Sequence, residues 1–320
     1  VTTIFPGAGF GYLAGAPLAS QLFDEEPEVD KITRQRLVQR VVGGWQAWHA
    51  KSHGTAEEYL SVLQSDGPKE FVEAAWFVAL RIAIRMGSLQ VVGGRPAIVA
   101  HNITRAVGVP AHQDFWAAIF KRTKDVAVIT PNYDILCERG LRTRPTPLKN
   151  LPGFNYGLGP EQLEGRGYPS FAHLRPIACT GTVPLHKIHG SVSWSIEKGR
   201  LVKYQDCRPA IRGDAAIIAP VQYKEVPPEF GLIWNNAARA LAQSSQLIIV
   251  GYSLPEYDVA IKGLLHQNLP ANATVHVFDP QAAVAERYKE LFGTGRVFPH
   301  PGLPDGIRDF EELFKIKDFQ

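Results

Sequence analysis

The sequence predicts an α/β protein: a doubly wound parallel sheet with a helical insertion. Three observations carry this. Short apolar, β-branched runs recur at 1–5, 126–130, 183–188, 246–250 and 274–278. Helical patterns at 229–243, 257–268 and 281–291 separate the later runs, and that alternation marks a parallel sheet covered on both faces. The runs end at Gly7, Asn132, His189, Gly251 and Asp279. Such residues then gather along the carboxyl edge, where open α/β sheets bind ligands. The expected architecture is Rossmann-like.

Taken in order, residues 1–5 read as the first buried strand, stopped by Pro6 and Gly7. Residues 16–24 read as a helix entered through Pro17. From about 25 to 122 helical signals dominate. Stretches 35–48 and 56–63 space apolar residues by three and four, and 69–86 is apolar around most of its circumference, as in a buried helix. Gly93-Gly94-Arg95-Pro96 breaks the run and 114–121 resumes it. The block 24–120 is therefore expected as a helical insertion or cap within one domain spanning 1–320. It lacks a polar strand end, so control or assembly is its expected task rather than chemistry. Residues 141–169 are rich in Pro and Gly and read as loop. Stretches 192–196 and 201–204 read as strands joined by a turn near Lys198-Gly199, and 215–219 as a further strand of the alternating series.

Composition excludes several classes. The chain has 320 residues, 45% hydrophobic and 20% charged, with a net charge of +3. That size accommodates one large domain with a sizeable insertion. The small charge imbalance, without a Lys/Arg run, gives no case for direct nucleic-acid binding. The apolar run 74–86 is broken by Arg81 and Arg85 and is too short to span a bilayer. Cys137, Cys179 and Cys207 form no Cys-x-x-Cys pair. That sparse, odd count fits a reducing cytoplasm and excludes a four-cysteine zinc site, so no metal is expected. The only methionine is Met86, and the sequence opens inside a strand-like run, so a short leader is expected ahead of it.

Each strand end carries its own chemistry. Gly7-Ala8-Gly9, followed by Phe10, could bring backbone amides to a pyrophosphate at a helix start, or could be a plain strand-to-helix turn. The spacing matches neither the full dinucleotide fingerprint nor a P-loop. Asn132 offers both a donor and an acceptor. Asp134 is suited to capping the helix at 135–140 or fixing the loop, with ligand contact as the alternative. A lone His189 would by default be a satisfied core residue, yet imidazole also suits proton transfer near neutrality. His186, three residues earlier on a strand, should face the other way and is read as structural. Asp258 could cap the following helix. Asp279 could accept both hydroxyls of an adenosine ribose, or form a turn before Pro280.

Four of these pieces, in this order, resemble the SIR2-like (sirtuin-related) family of NAD-consuming proteins. They are Phe5-Pro6-Gly7-Ala8-Gly9-Phe10-Gly11, Ile129-Thr130-Pro131-Asn132-Tyr133-Asp134, Lys187-Ile188-His189-Gly190-Ser191 and the stretch 248–258. The likeness is nearest to the bacterial branch and loosest over 24–120. It implies that Asn132 contacts the nicotinamide ribose or places a water, and that His189 polarises a ribose hydroxyl. It implies that Gly190 lets ligand approach, and that Gly251, Tyr252 and Ser253 hold phosphate or ribose. Where deacylases of the family carry Gly-Ile-Pro-Asp-Phe-Arg, this sequence has Gly15-Ala16-Pro17-Leu18-Ala19, and their zinc cysteines are missing. The resemblance therefore implies an NAD+ glycohydrolase releasing nicotinamide and ADP-ribose, with NAD as substrate and no metal. The implied setting is cytoplasmic anti-phage defence, as a homo-oligomer or with a defence-system partner. A protein deacylase and a non-enzymatic nucleotide-sensing or assembly subunit are the alternatives.

Overall fold

The computed structural model describes residues 1–12, 14–24, 35–85, 89–92, 95–98, 109–141, 153–158, 163–166, 181–204, 207–222 and 224–302. The Gly93-Gly94 break and Cys179 lie outside them. Strand β1 (Thr2–Pro6) is buried along its whole length. It pairs in parallel with β4 (Val126–Thr130) on one side and β11 (Gln246–Val250) on the other, so Ile4 faces Val128 and Ile248. The sheet continues through β7 (Val183–Lys187) to β5 (Phe154–Asn155) at one edge. It continues through β12 (Thr274–Phe278) to β13 (Val297–His300) at the other. Every neighbouring pair of this seven-stranded sheet, in the order β13-β12-β11-β1-β4-β7-β5, is parallel. Runs such as Val-Ala-Val-Ile-Thr form these strands because both faces are covered, and β-branched side chains suit a pleated, buried surface. The winding reverses at β1, so all carboxyl ends meet at one edge beside that reversal.

Helices cover the sheet. They include α1 (Ala8–Tyr12) and, from the second half of the chain, α8 (Gly231–Ala242), α9 (Val259–Asn268) and α10 (Ala282–Phe292). The helices of the first half are α2 (Gln35–Ser52), α3 (Ala56–Asp66), α4 (Pro68–Arg85) and α5 (Val109–Arg122). A short antiparallel pair, β2 (Leu89–Val92) and β3 (Arg95–Ile98), stands between α4 and α5. The start of α3 is fixed by a reciprocal cap. Thr55 Oγ1 accepts from Glu58 N at 3.2 Å, and Glu58 Oε2 accepts from Thr55 N at 2.7 Å. Helices α2–α4 bury Leu37, Val41, Leu60, Phe77 and Val78 in a second apolar cluster. In contrast, α5 packs Phe115, Trp116 and Ile119 into the main core, with Phe115 5.1 Å from the Phe10 ring.

Three expectations are corrected. Residues 16–24 do not form a helix: a single 3-10 turn occupies Ala19–Gln21, and the helix after the glycine turn is the earlier, five-residue α1. Pro17 there starts no helix because Gly15, at φ +91°, has already turned the chain. The strand expected at 215–219 is β10 (Ala215–Ile217), and it leaves the parallel series. It pairs antiparallel with β8 (Gly190–Glu197) in a second sheet of order β10-β8-β9-β6. That sheet contains β9 (Arg200–Tyr204) and β6 (Leu163–Arg166), so β5 and β6 both arise within the stretch read as loop. Lys198 (φ 51°) and Gly199 (φ 73°) turn β8 into β9, with Glu197 opposite Arg200, as a two-residue hairpin requires. Between the small elements lie α6 (Leu136–Gly140) and α7 (Arg208–Arg212).

Gly190 is tied to this second sheet. It has φ +85°, and a Cβ there would lie 2.1 Å from the Ala216 carbonyl oxygen. Gly190→Ala should therefore lower stability by about 2–3 kcal/mol, combining backbone strain with overpacking. Urea unfolding measures it; a loss below about 0.5 kcal/mol would contradict the close approach.

Candidate active site

The loops leaving β1, β4, β7, β11 and β12 surround one cavity of about 610 Å³. Small-molecule and cofactor sites span roughly 300–1,000 Å³. Every residue singled out from the sequence as a ligand contact lines it except Gly7 and Gly190. Gly7 N–H donates to Val250 O at 2.9 Å, and Gly9 N–H to Gly251 O at 2.8 Å. A Cβ on Gly7 would meet Tyr252 Cβ at 2.4 Å, and one on Gly251 (φ +62°) would meet Gly9 C at 2.7 Å. The glycines thus allow two loops to touch. This corrects the expectation that the amides of Gly7 and Gly9 address a pyrophosphate, because both already have carbonyl partners. Ala8 N–H makes no hydrogen bond among the described residues. Gly190 makes room for β10 rather than for a ligand.

Asn132 is built in from both ends. Thr130 Oγ1 donates to Pro6 O at 2.8 Å and accepts from Asn132 N at 3.1 Å. Asn132 Nδ2 donates to Gly7 O at 2.8 Å, which leaves its amide oxygen and its second N–H available to a ligand. Asp134 Oδ1 accepts from Leu136 N at 2.8 Å, closing a turn before α6 and thus fixing the loop. The cap position itself is Ile135. Burial raises the Asp134 carboxyl above its ordinary value, against the opposing Lys187 ammonium. Beneath this loop Lys187 donates to the Asp134 carbonyl and pairs with Glu138 at 3.2 Å, and Glu138 also accepts from Tyr156 OH at 3.0 Å.

His189 sits in the turn after β7 and is 3% exposed. Its carbonyl accepts from Ile218 N at 2.9 Å, while its Nε2 is buried without a hydrogen-bond partner. Its ring lies 6.3 Å from Tyr133 and 6.2 Å from Trp234, whose Nε1 donates to Ile188 O at 2.8 Å. Burial pushes His189 down to about 3; the Lys224 ammonium pushes the same way and the Asp258 carboxylate opposes. This replaces the expectation of titration near neutrality: the ring is neutral, with one nitrogen able to accept a proton. His186, also buried, is absent from the cavity wall.

The second half of the wall comes from the β11–α9 loop. Tyr252 OH donates to Asp258 Oδ2 at 2.5 Å, and the other Asp258 oxygen pairs with Lys224 Nζ at 3.0 Å. Asp258 occupies the cap position of α9 but makes no side-chain cap bond, because both oxygens already have partners. Ser253 is exposed, with its carbonyl held by Arg287 at 2.8 Å. Asp279 Oδ1 accepts from Gln281 N at 2.9 Å, and burial raises its carboxyl.

Sequence reasoning missed Lys224, Glu57 and Tyr257. Glu57, on α3, accepts from Tyr257 OH at 2.5 Å, and both line the cavity with Ile82 of α4. Gln222 N donates to Ser61 Oγ at 2.8 Å, and its side chain reaches Glu58 at 3.5 Å. Helix α3 therefore holds the loops on either side of the Lys224–Asp258 pair and contributes to the wall, which the expectation for 24–120 did not include.

His189 sets a pH dependence of stability. Unfolded histidine titrates near 6.5 and the folded ring near 3, so between those values the unfolded chain binds the extra proton. Its contribution is full above pH 6.5 and is lost as pH falls toward 3. His186, lowered to about 4 by burial, acts in the same direction. Denaturation midpoints should fall between pH 7.5 and 5, and His189→Gln should shrink that fall; an unaltered pH slope in the variant would argue against a buried neutral ring.

Among the described residues, no group of three or more His, Cys, Asp or Glu side chains could hold a metal. Cys137 and Cys207 are buried. No described helix is long and apolar enough to cross a membrane.

A parallel sheet whose reversal point opens on a mainly apolar cavity with a few convergent polar groups defines an α/β domain of the doubly wound, Rossmann-like type. A family model described as a SIR2-like domain matches residues 126–291, just over half of the chain. The chain belongs to this SIR2-like family, which relates it to NAD-dependent enzymes. Its course also resembles solved structures. One, described as a structural basis for the mechanism and regulation of Sir2 enzymes, is 12% identical with a TM-score of 0.43, covering 100% of this chain and 93% of that one. A Sir2 complex with the inhibitor EX-527, 2′-O-acetyl-ADP-ribose and deacetylated p53 peptide is 13% identical (TM-score 0.43; 100% and 94% covered). A Sir2 homolog–NAD complex is 12% identical (TM-score 0.42; 98% and 89% covered). No curated protein sequence matches the chain.

Proposed function

We propose that the protein hydrolyses NAD+ at the nicotinamide N-glycosidic bond, giving nicotinamide and ADP-ribose. The observation that carries this reading is His189: a buried, neutral imidazole with an unpartnered Nε2, in one cavity with the Asn132 amide. In this reading His189 accepts the proton of a ribose hydroxyl or of the attacking water, and the Asn132 oxygen orients ribose and water. Asp279 receives the adenosine ribose, and the loops at Ala8–Phe10 and Gly251–Ser253 flank the pyrophosphate. The bond breaks through an oxocarbenium-like state, and a walled cavity favours it by fixing the ribose and limiting bulk water.

The stretch that differs from deacylases supports hydrolysis over peptide chemistry. Ala16, Pro17, Leu18 and Ala19 line the cavity and bring neither acid nor arginine. The domain is read as one SIR2-like unit, residues 1–320, with 24–120 as its cap. The resemblance to the bacterial branch supplies the setting: NAD depletion in cytoplasmic anti-phage defence, as a homo-oligomer or with a partner. The test is product analysis of NAD+ incubated with the protein, with and without an acylated peptide. Nicotinamide and ADP-ribose without peptide are expected. Release only with peptide, together with acyl-ADP-ribose, would establish the deacylase instead.

A further inference from the structure

The Lys224–Asp258 pair has no task in the reaction as described so far. Its side chains are 6% and 5% exposed, and both belong to the cavity wall rather than the core. Buried ion pairs of this kind are often replaceable by apolar residues without loss of stability, so stability is a weak reason for this one. Both Asp258 oxygens are occupied, by Lys224 and by Tyr252 OH. Lys224 carries three donors, and its contact with Asp258 Oδ1 is an ion pair without hydrogen-bond geometry. Among the described wall residues it is the only ammonium or guanidinium; Glu57, Asp134, Asp258 and Asp279 are the carboxyls. Its loop leaves from Ile218, whose N–H is held by the His189 carbonyl and whose carbonyl is held by Tyr133 OH at 2.7 Å. Lys224 and His189 are therefore anchored to the same piece of backbone.

We propose that Lys224 is a catalytic cation of this cavity, stabilising the oxygen from which His189 takes a proton, and that Asp258 with Tyr252 positions it. This rests on the hydrolase reading above. A neutral imidazole buried as His189 is buried is a weak base, and an alcohol or water gives up its proton reluctantly. In the step, the substrate O–H bond breaks and a bond forms between hydrogen and His189 Nε2. The electron pair stays on oxygen, and a Lys224 N–H donates to that oxygen as charge develops. Asp258 holds the ammonium in place at 3.0 Å. The pair is neutral as a whole, so it does not repel the cationic nicotinamide ribosyl group.

The experiment measures kcat and KM for nicotinamide release by the full chain as wild type, Lys224→Met, Lys224→Arg, Asp258→Asn and Lys224→Met/Asp258→Asn. Lys224→Met should lower kcat about 10²–10³-fold, the usual cost of losing one such donor, with KM within a few-fold. Lys224→Arg should recover at least part of kcat. Removing Lys224 alone strands a buried carboxylate, so the double variant is the fold control. It should melt no lower than wild type yet remain as slow as Lys224→Met. A double variant turning over within threefold of wild type, or a loss confined to KM, would overturn the proposal while leaving the hydrolase reading intact. A wild type that releases no nicotinamide overturns both.

Discussion

His189→Ala is expected to lower nicotinamide release from NAD+ by about 10²–10⁴-fold, the usual cost of losing a general base. Its Nε2 has no protein partner, so the loss should come without a matching fall in melting temperature. His186→Ala is the control: that ring is buried but outside the cavity wall, so turnover should persist. Asn132→Ala is a harsher change. It removes the proposed ribose contact, and it also releases the Gly7 carbonyl that Nδ2 holds at 2.8 Å. Activity and local order should both suffer, because small misplacements are expensive in a preorganised site. Near-normal turnover by His189→Ala, or loss of turnover by His186→Ala at unchanged melting temperature, would move the chemistry elsewhere.

Lys187→Met is expected to destabilise the protein by about 3–5 kcal/mol, because Glu138 would remain as a buried, uncompensated charge. Lys187 is 1% exposed and also holds the Asp134 carbonyl, so the loop carrying Asn132 should loosen. Adding Glu138→Met should restore most of the stability, since an apolar pair of similar volume often replaces a buried ion pair without loss. Urea unfolding of the single and double variants gives the answer. A double variant as unstable as Lys187→Met would show that the carbonyl contact, rather than the ion pair, carries the cost.

Much of this molecule was legible before its coordinates. The strands at 126–130, 246–250 and 274–278 have the bounds their apolar runs imply, because a strand buried on both faces leaves an unbroken hydrophobic trace. The polar residues ending those strands reach one cavity because a parallel sheet turns every carboxyl end the same way. What stayed hidden depends on contacts that local pattern does not encode. Lys224 lies in a loop without periodicity, and its partner comes from another segment. Glu57 reads as one more acidic residue in a helix's first turn, until Tyr257, 200 residues away, is seen to donate to it. The glycines at 7, 9 and 190 suggested ligand access, whereas backbone from distant segments occupies the space that a Cβ would need. Sequence spacing shows that a side chain is missing and leaves open what stands in its place.

Helix α3 carries a consequence of its own. Through Glu57, Glu58 and Ser61 it grips the loops bearing Gln222 and Tyr257, two positions from Lys224 and one from Asp258. A displacement of α3 must therefore break these bonds or carry part of the cavity wall with it. Any ligand of the outer surface of the helical block that displaced α3 would be coupled to binding inside the cavity. A partner that favours the present position of α3 tightens the hold on substrate by some factor, and substrate must tighten the hold on that partner by the same factor.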